Sequence, residues 1–387
     1  MSEVTSNFPQ LRFPDFDDKW EEKRLSDIAE KSNVKNRDNE VSSVFTNSAT
    51  KGVVNQRFFF DKDIANQNNL DGYYIINHDN FVYNPRISFS APVGPLNRNH
   101  LGTGVMSPLY TILKINNVSL DFIERYFKTT KWHRYMNNIA NIGARHDRMN
   151  IISSDFMKMP IPLPKDEEQQ KIAASLAAVD NKIEQLSKKQ ALLSEYKKGL
   201  MQQIFSQAVR FKADDGSDFP DWEERKLGDV GKVYQPKTIS QTDLTTKGFD
   251  VYGANGIIGK YSEYNHEFEQ IAVTCRGNTC GTVNFTKPKS WITGNAMVVN
   301  VDDSKVVNKT FIYYQLSHTN LTYLITGSGQ PQITGDIKTH KVKIPSLPEQ
   351  TKIANFLSSI DNKIEQVGKQ LDESKQFKKA LLQQMFV

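Results

Sequence analysis

One segment of this chain occurs twice. Residues 171–205 align with residues 352–386 without a gap, 17 of the 35 positions are identical, and both copies contain the hexapeptide DNKIEQ. Shorter matches flank the segment: IPLPKDEEQQKIA corresponds to IPSLPEQTKIA, and FPDFDDKWEEKRL corresponds to FPDWEERKL. Similarity over so many consecutive pieces indicates a tandem duplication. The chain therefore consists of two repeats, residues 1–206 and residues 207–387.

Both copies of the segment predict long helices. Their apolar residues alternate at steps of four and three, which is the heptad pattern of a helix with a narrow apolar seam. The seams are Ile172, Leu176, Val179, Ile183, Leu186, Leu193, Leu200 and Ile204 in the first copy, and Ile353, Leu357, Ile360, Ile364, Val367, Leu371, Leu381 and Met385 in the second. Each helix would form a rod of roughly 50 Å. We expect the two helices to pair within the chain; pairing of each seam with another molecule is the alternative.

The segments between the helices have a different pattern. Short runs such as GYYIINHDNFVYN and NAMVVNV alternate apolar and polar residues between Gly, Asn and Pro, which predicts strands and hairpins, and each segment also contains one helix candidate. The predicted fold class is α+β: two α+β domains separated by two long antiparallel coiled-coil helices in a tandem-duplicated, pseudo-twofold chain. The predicted boundaries are 1–164 for the first domain, 165–206 for its helix, 207–347 for the second domain and 348–387 for its helix.

Composition places the chain among folded proteins that do not enter a membrane. Its 387 residues exceed one ordinary core, and 38% hydrophobic with 24% charged residues is typical of a globular protein. The N-terminus MSEVTSNFPQ lacks the pattern of a secretion signal, and no run approaches the roughly eighteen apolar residues of a membrane span. The expected location is the cytoplasm.

Sequence motifs of catalysis are missing. The chain contains neither a Walker A motif nor G-x-G-x-x-G, H-E-x-x-H or G-x-S-x-G, and its seven histidines are scattered. Cys275 and Cys280 are too few for a disulfide framework or a four-cysteine zinc site. The NPR tripeptide at Asn84 lacks the second Pro and the aromatic residue with which amino-methyltransferases hold a flipped adenine. The chain is predicted to have no catalytic site and no cofactor or metal of its own.

The charge distribution suggests nucleic acid more than the net charge does. The formal net charge is only +5, but residues 80–120 and 270–301 contain no Asp or Glu while both contain Arg and Lys. Locally basic stretches are the expected electrostatic footprint of a surface that contacts phosphate groups. The repeat helix differs, because residues 165–205 hold seven basic and six acidic residues. The helices are therefore better suited to a protein interface than to DNA.

The order of these pieces resembles the specificity (S) subunit of type I restriction-modification systems. The resemblance covers nearly the whole chain and is carried by EEQQKIAASLAAVDNKIEQ, PEQTKIANFLSSIDNKIEQ and the two FPD openings. It implies two target-recognition domains, each reading one half of a bipartite, asymmetric double-stranded DNA site. It also implies that the helices hold the domains apart and dock two methyltransferase (M) subunits, while restriction (R) subunits complete the complex. S-adenosylmethionine would bind the methyltransferase subunit, and ATP and magnesium the restriction subunit.

Candidate contact residues follow from both arguments. An Arg side chain can form two hydrogen bonds with one guanine, an Asn or Gln side chain can form two with one adenine, and Lys pairs with phosphate groups. The DNA candidates are Arg86, Arg98, Arg145, His146 and Arg148 in the first domain, and Arg276, Asn278, Lys287, Lys289, Gln330, Gln332 and Lys338 in the second. The resemblance places methyltransferase docking at Asp180, Asn181, Lys182, Glu184, Gln185, Asp361, Asn362, Lys363, Glu365 and Gln366.

Two rival interpretations stay open at this point. A structural adaptor would use the coiled coil to join two protein-binding domains without contacting DNA, and would show no salt-dependent DNA affinity. A hidden enzyme would require activity from the purified chain alone. Within the family, a subunit that serves methylation only cannot be separated by sequence from one that also serves restriction.

Overall fold

The computed structural model describes residues 8–59, 70–141, 147–254, 256–327 and 330–387. The chain folds into two compact units. The first unit comprises residues 1–186 with 370–387, and the second unit comprises residues 187–369. Among the described residues, no helix has the length and apolar character needed to cross a membrane.

The first unit is built around an antiparallel four-stranded sheet. Its strands are β1 Glu21–Arg24, β2 Ala29–Ser32, β3 Phe45–Ser48, β4 Gly52–Asn55, β5 Tyr74–Ile76, β6 Phe81–Tyr83, β7 Leu96–Arg98, β8 Gly104–Met106, β9 Thr111–Ile115 and β10 Pro160–Leu163. Its helices are α1 Leu25–Ile28, α2 Gln56–Phe59, α3 Leu120–Tyr126, α4 His133–Ile139, α5 Ser153–Met157 and the first half of α6 Asp166–Phe205. The four-stranded sheet has the order β2-β9-β6-β7, and β1-β10, β3-β4 and β5-β8 form separate pairs.

The second unit repeats this plan. Its strands are β11 Glu223–Lys226, β12 Lys232–Tyr234, β13 Phe249–Gly253, β14 Gly256–Tyr261, β15 Ile271–Thr274, β16 Val283–Phe285, β17 Trp291–Ile292, β18 Ala296–Asn300, β19 Ile325–Thr326, β20 Gln332–Ile333 and β21 Lys341–Ile344. Its helices are α7 Leu227–Val230, α8 Lys309–His318 and the first part of α9 Leu347–Gln384, with short 3-10 turns at Gln241–Asp243, Thr322–Leu324 and Gly335–Thr339. The sheet order β12-β18-β15-β16 matches that of the first unit, and β11-β21 matches β1-β10. The α+β class predicted from the sequence is confirmed.

The same cluster of three aromatic rings closes the core of each unit. In the first unit the rings of Trp20, Phe122 and Phe386 lie with centroids 5.2 to 6.4 Å apart. In the second unit Trp222 and Phe311 pack on each other at 5.8 Å, and Phe205 completes the cluster at 5.8 and 6.5 Å. Trp20 is thus a buried core residue and Trp222 a partly buried one packed against the core, and the ring contacts of each stabilise its unit.

The third ring of each cluster comes from the other repeat. Phe386 ends the second repeat but lies in the core of the first unit, and Phe205 ends the first repeat but packs in the second unit. The two compact units therefore differ from the linear repeats 1–206 and 207–387 in the helix end that each contains, and the boundaries at residues 164, 206 and 347 stay predictions. Each unit contains the start of its own repeat helix and the end of the other one.

One ion pair recurs where the helix halves meet. In the first unit the Lys378 ammonium lies 2.5 Å from the Asp180 carboxylate, and in the second the Lys197 ammonium lies 2.7 Å from the Asp361 carboxylate. Asp180 and Asp361 are equivalent residues of the two hexapeptides, and Lys197 and Lys378 are equivalent as well. Both lysines, which interrupt the apolar seams, therefore have charged partners in place of apolar ones.

The dipeptide Glu-Gln at the start of each long helix fastens the helix to its unit. The Gln169 side-chain oxygen accepts from the Ser119 backbone N–H at 3.0 Å, and its amide donates to the Pro164 carbonyl at 2.9 Å. Gln350 makes the same bonds to the Asn308 N–H and the Pro345 carbonyl, at 2.7 and 2.8 Å. Because Ser119 and Asn308 cap α3 and α8, the repeated glutamine joins two helix starts in each unit.

Candidate nucleic-acid interface

In the second unit, two of the candidate DNA loops form one antiparallel rung. The Gly277 N–H donates to the Pro331 carbonyl at 3.1 Å, and the Ile333 N–H donates to the Cys275 carbonyl at 3.0 Å. These bonds place Arg276 directly opposite Gln332. Residues opposite each other between two such bonds form a non-hydrogen-bonded pair, whose side chains lie side by side on one face. We call Arg276 and Gln332 the second rung.

The first unit contains a corresponding rung. The Ile87 N–H donates to the Asp147 carbonyl at 3.0 Å, and the Met149 N–H donates to the Pro85 carbonyl at 2.9 Å. Arg86 and Arg148 are therefore opposite each other, and we call them the first rung. The NPR tripeptide forms an Asx turn, because the Arg86 N–H donates to the Asn84 side-chain oxygen at 3.0 Å.

Solvent reaches both rungs. The side chain of Arg86 is 63% exposed and that of Arg148 is 26% exposed, while Arg276 and Gln332 are both exposed. Asp147 lies 3.8 Å from Arg86 and 3.7 Å from Arg148, which is too far for a hydrogen bond to either. Asn278 and Gln330 are also exposed, next to the second rung. Arg145 and His146 lie outside the described residues.

Arg98 has a different environment from the other candidates. Its side chain is only 11% exposed, and its guanidinium contacts Asp79 at 2.6 Å and Asp121 at 2.5 Å, with Glu124 at 3.6 Å. Burial opposes ionisation of Asp79, but the Arg98 guanidinium holds the pKa of that carboxyl below its usual value. Because three carboxylates already balance its charge, Arg98 stabilises the first unit and does not add to the interface that we propose.

The three candidate lysines are exposed but differ in their partners. Lys287 lies 3.2 Å from Asp250, and Lys289 lies 3.9 Å from Glu267. Lys338 is exposed in the last 3-10 turn, and it forms no ion pair within the described part of the chain. Exposed ion pairs are weak and exchange with solvent, so all three ammonium groups are accessible to phosphate oxygens.

Within the described residues, the two cysteines and one His–Asp–His group are the other side chains that could react or bind a metal. Cys275 and Cys280 are buried free thiols, and burial raises the pKa of each, which keeps them protonated and unreactive. His78, Asp79 and His100 lie close enough together to suggest a metal site. However, the Arg98 guanidinium lies 2.6 Å from the Asp79 carboxylate, so a cation would have to displace it.

The hexapeptides of the two long helices have matching environments. Asp180 is bound by Arg125 as well as by Lys378, and Asp361 accepts from the Tyr314 hydroxyl at 2.6 Å as well as from Lys197. These two carboxylates therefore fasten the helices to their own units. The residues with solvent-exposed side chains are Asn181, Lys182, Glu184 and Gln185 and their copies Asn362, Lys363, Glu365 and Gln366.

Two exposed aromatic side chains were not singled out from the sequence. Tyr196 is 55% exposed on α6, and Phe377, its equivalent on α9, is 56% exposed. Leu192 is also 55% exposed, but its equivalent in the second helix is the charged Glu373. The alignment of the two repeats already shows an aromatic residue at both equivalent positions. Only the structure shows that both rings are exposed to solvent.

These features define a binding protein made of two similar units, each with an exposed polar rung and a fastened helix. The family model for the type I restriction modification DNA specificity domain matches residues 17–194 and 220–374. The chain therefore belongs to this family, whose members recognise DNA and are not the catalytic subunits, and the resemblance noted from the sequence is confirmed. Subunits of this family work on DNA together with methyltransferase and restriction subunits.

Individual relatives agree with this assignment. The chain is 26% identical over 317 residues to the type I restriction enzyme MjaVIII specificity subunit of Methanocaldococcus jannaschii, and the aligned region covers 72% of each chain. It is 27% identical over 251 residues to the type I restriction enzyme EcoprrI specificity subunit of Escherichia coli, covering 61% of this chain and 59% of that one. The fold is similar to the crystal structure of a type I restriction-modification S subunit from M. genitalium, with a TM-score of 0.61, 16% identity and coverage of 98% and 99%.

Proposed function

We propose that this chain reads a bipartite, asymmetric double-stranded DNA site, one half with each unit. It then directs two adenine methyltransferase subunits and ATP-dependent restriction subunits to that site. The observation that carries the proposal is a contrast within the repeats: 17 of 35 helix positions align without a gap and are identical, whereas the segments that bear the rungs have diverged and the rungs differ at one of their two positions. Two copies of one partner require like surfaces, and two different half-sites require unlike ones.

Each rung and its neighbours would contact DNA. The rung arginines offer two parallel N–H donors for a base edge. The rung glutamine, like Asn278 and Gln330, offers one N–H donor beside one carbonyl acceptor. Lys287, Lys289 and Lys338 would hold phosphates. Arg145 and His146 stay predictions. The adenine methyltransferase would carry S-adenosylmethionine and the restriction subunit ATP and magnesium, so this chain itself would hold no cofactor and would act in the cytoplasm.

The long helices would serve as spacer and docking surface. We propose that α6 and α9 form an antiparallel coiled coil, in which the repeated Asp–Lys pairs set the register. The gap between the two half-sites would then follow from the length of the helices. Methyltransferase subunits would dock on the exposed residues of both hexapeptides and on Tyr196 and Phe377, which occupy equivalent positions and leave more than half of their rings in solvent.

The test of the proposed function is to delete the gene in its host and map adenine methylation across the genome. Methylation should vanish from one gapped motif and from no other, because a specificity subunit determines where its partner acts. Restoring the gene should restore the same motif. Unchanged methylation in cells that still contain an active methyltransferase would contradict the proposal and favour a protein-binding adaptor.

A second prediction concerns salt. The complex of this chain with its methyltransferase should lose about 10³-fold or more in affinity for a duplex carrying the motif between 50 and 200 mM salt, because phosphate contacts release counterions. Fluorescence anisotropy with a labelled duplex measures the loss, and a scrambled duplex is the control. An affinity that does not change with salt would exclude a DNA interface that depends on phosphates.

A further inference from the structure

The two rungs occupy the same place in the two units. Arg86 follows the first residue of β6 by five positions, and Arg276 follows the first residue of β15 by five positions. Each of these strands lies between the same two neighbours in its four-stranded sheet. The two backbone bonds that flank each rung also join equivalent atoms, at 2.9 to 3.1 Å. The rungs are therefore structural equivalents, although the repeat in sequence is clear only in the helices and openings.

Comparison of the two equivalent rungs shows one position with the same residue in both units and one position with different residues. Arg86 and Arg276 place the same side chain at the same point of both units. Their neighbours differ, because Arg148 stands opposite Arg86 while Gln332 stands opposite Arg276. Each rung thus presents a constant arginine beside a second side chain that distinguishes the units.

The first rung carries a net positive charge. Two arginines directly opposite on one face of a ladder repel each other. The Asp147 carboxylate lies within ion-pair distance of both guanidinium groups, at 3.8 and 3.7 Å, so one negative charge faces two positive ones. Two guanidinium groups side by side with this excess of positive charge suit a ligand that is rich in acceptor atoms. Guanine N7 and O6 in the major groove, beside the phosphate backbone, are such acceptors.

We propose that the rungs determine one base of each half-site, an inference that rests on the proposed function. Arg148 reads a guanine through its N7 and O6, and Gln332 reads an adenine through its N6 and N7. Arg86 and Arg276 make a contact that is the same in both half-sites and anchors the DNA beside that base. The difference between the two target sequences at this position then follows from one side chain in each unit.

The experiment exchanges the variable residues. The variants Gln332→Arg and Arg148→Gln are prepared in the complex with the methyltransferase subunits, and the preferred sequence is measured by selection from a duplex library randomised in both half-sites. Gln332→Arg should change one base of the second unit's half-site from adenine to guanine, and Arg148→Gln should make the converse change in the other half. The preference at that base should shift by about 5- to 150-fold, and all other positions should be unchanged.

Matched controls separate base reading from a change in charge. Gln241→Arg adds the same charge to an exposed position of the second unit, and Arg37→Gln removes one from an exposed position of the first. Both controls should keep the wild-type motif. A shift by a control at the same base would show that overall charge, not the rung, sets the preference, and would overturn the inference.

The remaining outcomes are also decisive. Loss of preference at one base in one half-site, with the other half intact, supports the inference because it shows that the rung residue reads that base. An unchanged motif overturns it, and so does a folded complex that loses binding to every sequence. In these last two cases the proposed function is judged separately, because it fails only if the wild-type complex selects no bipartite motif.

Discussion

Replacing Arg210 with methionine is expected to destabilise the second unit by about 3–5 kcal/mol, because it leaves a buried carboxylate without its partner. The Arg210 guanidinium contacts Glu349 at 3.2 and 2.9 Å, and the Glu349 side chain is fully buried. Arg210 also donates to the Phe219 and Pro220 carbonyls, so it connects the FPD opening of the second repeat with the start of α9.

The first unit contains the same arrangement, which provides an internal comparison. The Arg12 guanidinium contacts both carboxylate oxygens of Glu168 at 2.7 Å, and the Glu168 side chain is 2% exposed. Glu168 and Glu349 are the glutamates of the repeated Glu-Gln dipeptide. Arg12→Met should therefore destabilise the first unit by a similar amount of free energy, with little effect on the second.

Hydrogen exchange measured by mass spectrometry tests both variants, because it reports the opening of each unit separately. A melting temperature would not do so, since a chain of two units is not expected to unfold in a single two-state transition. In Arg210→Met the peptides from residues 223–344 should exchange faster, and those from residues 21–163 should not. The control is the double variant Arg210→Met with Glu349→Met. It removes both charges, and exchange of a buried ion pair for apolar side chains of similar size is often nearly neutral. Equal destabilisation by the single and double variants would contradict the role assigned to this pair.

The sequence contains most of the information about the helices. The heptad seam depends on spacing along one chain segment, and the observed helices Asp166–Phe205 and Leu347–Gln384 lie where that spacing occurs. The seam does not identify the partner of each helix end. The expected antiparallel pairing would bring the end of each helix beside the start of the other. The pattern around Phe205 and Phe386 is nevertheless the same whichever core these rings enter, so their packing in the core of the other repeat was not predictable residue by residue.

The sequence named candidate residues for the interface but not which of them lie together. Arg276 and Gln332 were candidates in two separate loops, and their pairing in one rung arises from the fold. Arg98 is a candidate whose surroundings the sequence did not reveal. It lies in an acid-free stretch, but the carboxylates of Asp79 and Asp121 are brought to it from just outside that stretch by the fold. A charge count along the chain cannot detect a neutralisation that arises through tertiary contacts.

Truncation of the two exposed aromatic residues on the long helices is expected to remove methyltransferase subunits from the complex. Aromatic anchors at the centre of an interface typically contribute 2 kcal/mol or more when truncated to alanine, which corresponds to roughly 30-fold or more in affinity. Tyr196→Ala and Phe377→Ala alter equivalent positions of the two helices. Each single variant should therefore weaken one of two docking sites, and the double variant should weaken both.

Native mass spectrometry of the reconstituted complex distinguishes these states by counting methyltransferase subunits per chain. At a methyltransferase concentration about five times the wild-type dissociation constant, a wild-type site is mostly occupied and a site weakened about 30-fold is mostly empty. Under these conditions most complexes of the wild type should retain two subunits, those of each single variant one, and those of the double variant none. Leu192→Ala is the matched control, because Leu192 is as exposed as Tyr196 but is replaced by Glu373 in the second helix. Two identical partners cannot both use a side chain that only one helix contains, so this variant should keep both subunits. Retention of two subunits by the double variant would confine docking to the polar residues of the hexapeptides, and loss caused by Leu192→Ala would show that the two docking surfaces are not alike.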